Sequence, residues 1–77
     1  MPTIKMIDSV KIDVFSRDHL PPHFHALYAE YEELIEIVSL KTYIGKIPAA
    51  QRKKVINWAA DNKDYLMGIF KQLNPGL

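Results

Sequence analysis

The sequence predicts an α+β fold. It consists of a small antiparallel sheet of three to five strands over residues ~3–45, followed by one kinked or two consecutive C-terminal helices over ~48–73 packed on one face. Two patterns carry this expectation. Up to Gly45 the apolar residues tend to alternate with polar ones, and after Pro48 they recur with a period near 3.6. A third observation bounds the size: 77 residues make a single domain, 1–77. A chain this short buries only about 60% of the surface it exposes when unfolded, so its core is modest. With 48% hydrophobic and 25% charged residues, the composition is that of a globular protein and argues against a disordered tail.

Ile4 and Met6, with Ile7, suggest a first strand, and Asp8-Ser9 the turn that follows it. Val10-Lys11-Ile12-Asp13-Val14 alternates strictly, which puts Val10, Ile12 and Val14 on one face and Lys11 and Asp13 on the other. Arg17-Asp18-His19-Leu20-Pro21-Pro22 then interrupts as a stiff loop. Each proline lacks a backbone donor and pushes its predecessor toward extended backbone. His23 to Ala29 resumes as a strand with Phe24, Ala26 and Tyr28 on one face. Glu30-Tyr31-Glu32 reads as a connection, and Glu33 to Val38 as a strand with Ile35 and Ile37 on one side. Thr42-Tyr43-Ile44 makes a short last strand ending at Gly45.

Pro48 suits the first turn of a helix, where its missing donor is not needed. Val55, Ile56, Ala59, Leu66, Ile69, Phe70 and Leu73 then share one stripe, with Trp58 at its edge. Asn62 and Lys63 break the stripe, which predicts a kink or a division near Asp61-Asn62. Asn74-Pro75-Gly76 ends the pattern.

Charge is distributed unevenly. Glu30, Glu32, Glu33 and Glu36 form an acidic block, read as an exposed one, while Lys41, Lys46, Arg52, Lys53 and Lys54 occupy a stretch without an acid. Arg52, Lys53 and Lys54 lie in the first turns of the helix, where positive charge opposes the macrodipole at about 0.3–1 kcal/mol each. With Lys46 they are candidate contacts to a nucleic acid or an acidic partner. Against nucleic acid stand a net charge of only +1 and a spacing that fits no helix-turn-helix. The lack of cysteine excludes disulfides, thiolate metal sites and a cysteine nucleophile. Charges within Met1–Asp8 fall where a signal peptide needs an apolar run, and no stretch approaches the ~20 apolar residues of a membrane span. A cytoplasmic protein with no membrane partner is therefore expected.

One cluster carries site chemistry: Asp18-His19, then His23 and His25. In a strand, His23 and His25 project from the same face with α carbons about 6.5–7 Å apart. Both imidazoles can then reach one ion at ~2.0–2.1 Å, with His19 as a third nitrogen. Asp18 would be an oxygen ligand or an orienting acceptor. An open fourth position would lower the pKa of a bound water and permit hydrolysis. The competing reading is structural or partner-contacting histidines that hold the loop through backbone carbonyls, with no ion. There is no glycine-rich phosphate loop and no nucleophile-elbow pattern around Ser9, Ser16 or Ser39.

Asp18-His19-Leu20-Pro21-Pro22-His23-Phe24-His25 resembles a bacterial family known as domain of unknown function family 4160. The similarity extends to Met1-Pro2-Thr3-Ile4, Val55-Ile56-Asn57-Trp58-Ala59 and Tyr65-Leu66. The resemblance implies a small cytosolic protein, often encoded beside a member of another uncharacterised family, number 2442, and hence a toxin–antitoxin-like or transcription-associated regulatory role. It implies no catalytic residues.

Two functions from different classes follow. The first is a protein-interaction or regulatory module without a cofactor, docking through an exposed edge strand or the open sheet face, with a family 2442-like protein as the expected partner. The alternative is a metal-dependent hydrolase or nuclease that uses His19, His23 and His25 to bind zinc or another divalent transition metal. A homodimer is also expected, through the apolar helical surface around Trp58, Tyr65, Ile69, Phe70 and Leu73 or through an unpaired Ile4–Ile7 edge.

Overall fold

In a computed structural model, residues 3–16, 18 and 21–76 are described. Five strands precede two helices: β1 (Thr3–Ile7), β2 (Val10–Asp13), β3 (His23–Tyr28), β4 (Tyr31–Glu36), β5 (Thr42–Lys46), α1 (Ala49–Ala60) and α2 (Lys63–Leu73). The strands form one antiparallel sheet in chain order, β1-β2-β3-β4-β5. The expected α+β architecture is therefore the one observed.

Period-two alternation selects the inner face. Val10, Ile12, Phe24, Ala26 and Ile35 are fully buried there, with Val14 and Ile37 just beyond the ends of β2 and β4. Val55 and Ala59 of α1 and Leu66 and Phe70 of α2 close over them in one apolar cluster. Each such large aliphatic or aromatic side chain contributes about 1.5–3 kcal/mol by leaving water. The stripe expected to be overexposed is largely covered. Trp58, Ile69 and Leu73 pack partly buried against the core, while Tyr65 stays 50% exposed.

The helical half divides where the stripe breaks. The Asn62 side-chain amide donates to the Trp58 carbonyl at 2.8 Å, and its backbone N–H donates to Ala59. The Trp58 and Ala59 carbonyls near the end of α1 are thus satisfied before α2 begins, and two helices form instead of one kinked helix.

The connections differ from the expected ones at three points. Residues 30–32 are not a connection: the turn is Ala29-Glu30, and Tyr31 and Glu32 already belong to β4, with Tyr28 paired to Tyr31. Ala29 takes the left-handed φ of +51° needed for so tight a reversal, and the Tyr31 ring packs against the core. The ladder of β4 ends at Glu36, and 37–39 turn, although the Ile37 N–H still donates to Pro22 at 3.0 Å. β5 runs through Gly45 to Lys46 because Glu32 pairs with Lys46 and Glu33 with Gly45. Gly45 adopts φ +82°, and a Cβ there would collide with the Glu32 carbonyl oxygen.

Candidate metal centre

The site is built where the loop after β2 folds back onto the start of β3. Asn74, just past α2, is buried and holds that loop. Its Oδ1 accepts the Asp18 N–H at 2.7 Å, and its Nδ2 donates to Phe15 O at 2.9 Å and to Phe70 O at 3.0 Å. The Ile37 N–H, just past β4, donates to the Pro22 carbonyl and pins the proline pair beside the end of that strand. The carboxylate of Asp18 is thereby delivered to the first histidines of β3.

His23 is fully buried, and its Nδ1 donates to the Pro21 carbonyl at 2.7 Å. Its Nε2 lies 3.0 Å from Asp18 Oδ2. His25, two residues on and therefore on the same side of the strand, places its Nε2 3.1 Å from that same oxygen. The other ring nitrogen of His25, Nδ1, meets Glu32 Oε2 at 2.9 Å. The two imidazole centroids are 5.2 Å apart, and one ligand atom from each of Asp18, His23 and His25 falls within 4.8 Å of the others. Phe15 sets its edge against His25 at 4.4 Å, while Tyr43 and Phe70 approach the His23 ring at 5.7 and 6.0 Å. The apolar rings lower the local dielectric and strengthen whatever charge interaction the cluster makes.

The proton positions implied by this geometry are demanding. A carbonyl only accepts, so the Nδ1 of His23 carries a proton. If Nε2 also donates to Asp18, the ring is an imidazolium. For His25, both nitrogens face carboxylate oxygens and both can donate only from the imidazolium form. Hydrogen bonds from both Nε2 atoms to Asp18 at once would need both rings as imidazolium, with their centroids only 5.2 Å apart and the His23 ring fully buried. A divalent cation between the two Nε2 atoms would take the place of both Nε2 protons and leave each Nδ1 directed at a carbonyl or carboxylate oxygen, the arrangement that orients metal-bound histidines.

A further buried carboxylate belongs to the residue opposite His25 in the ladder. Asp13, paired with His25 across β2–β3, is fully buried. Its Oδ1 accepts the Thr3 hydroxyl at 2.8 Å, whereas among the described residues its Oδ2 has no hydrogen bond and faces the Lys11 ammonium at 3.7 Å. Asp18 and Glu32 thus set carboxylate oxygens 3.1 and 2.9 Å from the two ring nitrogens of His25.

Of the expected ligands, Asp18, His23 and His25 converge, and His19 lies outside the described residues. Glu32 and Asp13 were not anticipated. The alternation of β2 already put Asp13 on the polar face, but only the strand register brings it opposite His25. A concavity of about 510 Å³ between α1 and α2, lined by Ala60 to Tyr65, contains neither histidine.

The basic residues are dispersed. Arg52 Nε donates to Glu33 Oε2 at 2.8 Å, and its Nη2 reaches Leu40 O and Thr42 Oγ1. Glu33 is 1% exposed and also accepts from Thr42 Oγ1 and the Ile47 N–H, so one member of the acidic block read as exposed is a buried structural carboxylate. Its signal was present, since Glu33 shares a period-two face with Ile35 and Ile37. Lys54 pairs with Asp8 at 2.8 Å, and that hydrogen bond, then the Asp8 charge, holds its ammonium above the ordinary lysine value. Lys46 sits opposite Glu32 in the ladder, and Lys53 is exposed.

No helix among the described residues is long and apolar enough to cross a membrane. No curated protein and no solved structure matches the chain. A protein-family model, Domain of unknown function (DUF4160), matches residues 10–70, well over half of the chain, and the protein belongs to that family.

Proposed function

We propose that this domain is a small regulatory binding module organised around a divalent transition-metal site, with Asp18 Oδ2, His23 Nε2 and His25 Nε2 as ligands. The supporting observation is the single carboxylate oxygen lying 3.0 and 3.1 Å from two Nε2 atoms whose rings already commit their Nδ1 nitrogens elsewhere. Two imidazoles and a carboxylate suit zinc, iron, nickel or copper better than calcium or magnesium. The bound ion would tie the loop carrying Asp18 to β3 and so set the surface offered to a protein partner, for which a family 2442-like protein is the first candidate.

Titration calorimetry on metal-stripped protein tests this reading with zinc. One equivalent binds to the native chain, and binding is lost in His23→Ala and His25→Ala. A native chain that gives no zinc-dependent heat and no shift in melting temperature overturns it.

The metal-dependent enzyme shares the same ligands. Its support is that three protein ligands leave a coordination position for water, as in catalytic zinc sites. Zinc-dependent cleavage of a model ester or an oligonucleotide by the native chain, absent in His25→Ala, separates it from a purely regulatory site. Self-association belongs to the same proposal. Among the described residues β1 has only β2 beside it in the sheet, and Met6 on that strand is 58% exposed. Light scattering at micromolar concentration then returns twice the 8.9 kDa chain mass, and a monomer mass removes the dimer.

A further inference from the structure

We infer that the end of α2 controls the metal site, with Asn74 as the positioning residue for Asp18; this rests on the metal-binding reading above. The three ligands are held in unequal ways. His23 and His25 belong to β3, which is laddered on both sides by β2 and β4. Asp18 lies in no strand or helix, and its backbone N–H is held by the Asn74 side chain 56 positions away.

Asn74 is committed to this role. It is 5% exposed, and each of its side-chain atoms capable of hydrogen bonding is used. Its Oδ1 takes Asp18, and its Nδ2 grips Phe15 O and Phe70 O together, fastening the loop to the last turn of the helix. Phe15 leads into the same loop and packs on the His25 ring, while Phe70, one turn before Asn74, approaches His23. The end of α2 therefore touches the surroundings of all three ligands.

Coupling of this kind is reciprocal. If docking of the α2 end raises metal affinity by some factor, metal binding raises the stability of that docking by the same factor. A partner that grips or displaces the end of α2 would then load or unload the ion without touching a ligand.

Zinc binding to the full chain, followed by calorimetry, and the visible spectrum of the cobalt(II) form test the inference. Asn74→Ala removes no ligand residue yet lowers zinc affinity about 10–100-fold, the usual effect of removing a group that orients a ligand. Its cobalt spectrum shifts toward that of Asp18→Asn. Val55→Ala, a core truncation of comparable instability, keeps native affinity and spectrum. In the native chain, zinc slows amide exchange at Asp18 and Asn74 about tenfold or more, a readout that stands even if Asn74→Ala does not fold. Zinc binding by the native chain with Asn74→Ala indistinguishable from Val55→Ala, or with unchanged exchange at Asp18 and Asn74, overturns the inference and spares the metal site. A native chain that binds no zinc overturns both.

Discussion

Glu33 and Arg52, nineteen positions apart, form an ion pair at the junction of sheet and helices, with Nε donating to Oε2 at 2.8 Å. The carboxylate is 1% exposed at its side chain and the guanidinium 34%. The pair explains why α1 tolerates Arg52 in its first turns, where no acidic residue balances the helix dipole. The compensating charge comes from β4 instead.

Removing one partner leaves the other uncompensated. Arg52→Ala should therefore cost about 3 kcal/mol, toward the low end for buried pairs because the guanidinium is partly solvated. In a chain of this size that lowers the melting temperature by more than 10 °C. Replacing both residues with apolar ones, Glu33→Leu with Arg52→Met, should recover much of the loss. Urea denaturation measures both, and a loss below 1 kcal/mol for Arg52→Ala would mean the carboxylate is satisfied without it.

Two glycines should respond oppositely to alanine. Gly45→Ala must place a Cβ against the Glu32 carbonyl at φ +82°, costing about 2 kcal/mol or more and loosening β5. Gly68→Ala, inside α2 with open space around it, should stabilise by about 0.5–1 kcal/mol. Equal effects from the two substitutions would contradict the backbone assignment at Gly45.

Within the proposed metal site the ligands and the group behind them should separate by magnitude. His25→Ala abolishes zinc binding, whereas Glu32→Gln weakens it about tenfold, because Glu32 only orients the His25 ring through Nδ1. Competition with a chromogenic chelator ranks them, and a Glu32→Gln loss as large as that of His25→Ala would make Glu32 a ligand itself.

The Lys54–Asp8 pair should leave an alkaline signature. Its folded-state ammonium titrates above the ordinary 10.5, so the stabilisation is complete below that value and is lost as pH rises through the higher folded one. The pair is exposed and the effect small. Asp8→Asn suits the test because asparagine accepts the φ of +43° at this position. The difference in denaturation midpoint between native and Asp8→Asn protein should hold constant from pH 8 to 10 and shrink as pH rises beyond 10.5. A difference that widens with pH refutes the pairing.

Local pattern was enough for most of the fold. Alternation in residues 10–14 and 23–28 determined which side chains face the core, the 3.6-residue stripe determined the helices, and Asn62 marked their division. The same period placed His23 and His25 on one side of β3. These features are legible because the alternation and helical periods are properties of a few consecutive residues. The strand bounds at Tyr31 and Lys46 were less legible, because pairing across the ladder decides where a strand begins and stops. The site itself depended on longer distances. Asp18 joins the histidines because a loop closes back on β3, Glu32 and Asp13 join through register, and Asn74 crosses 56 positions to hold the loop. Glu33 was assigned to solvent by its charge and is buried by Arg52. Periodicity specifies a face, but only competition for burial among distant segments decides what meets on it.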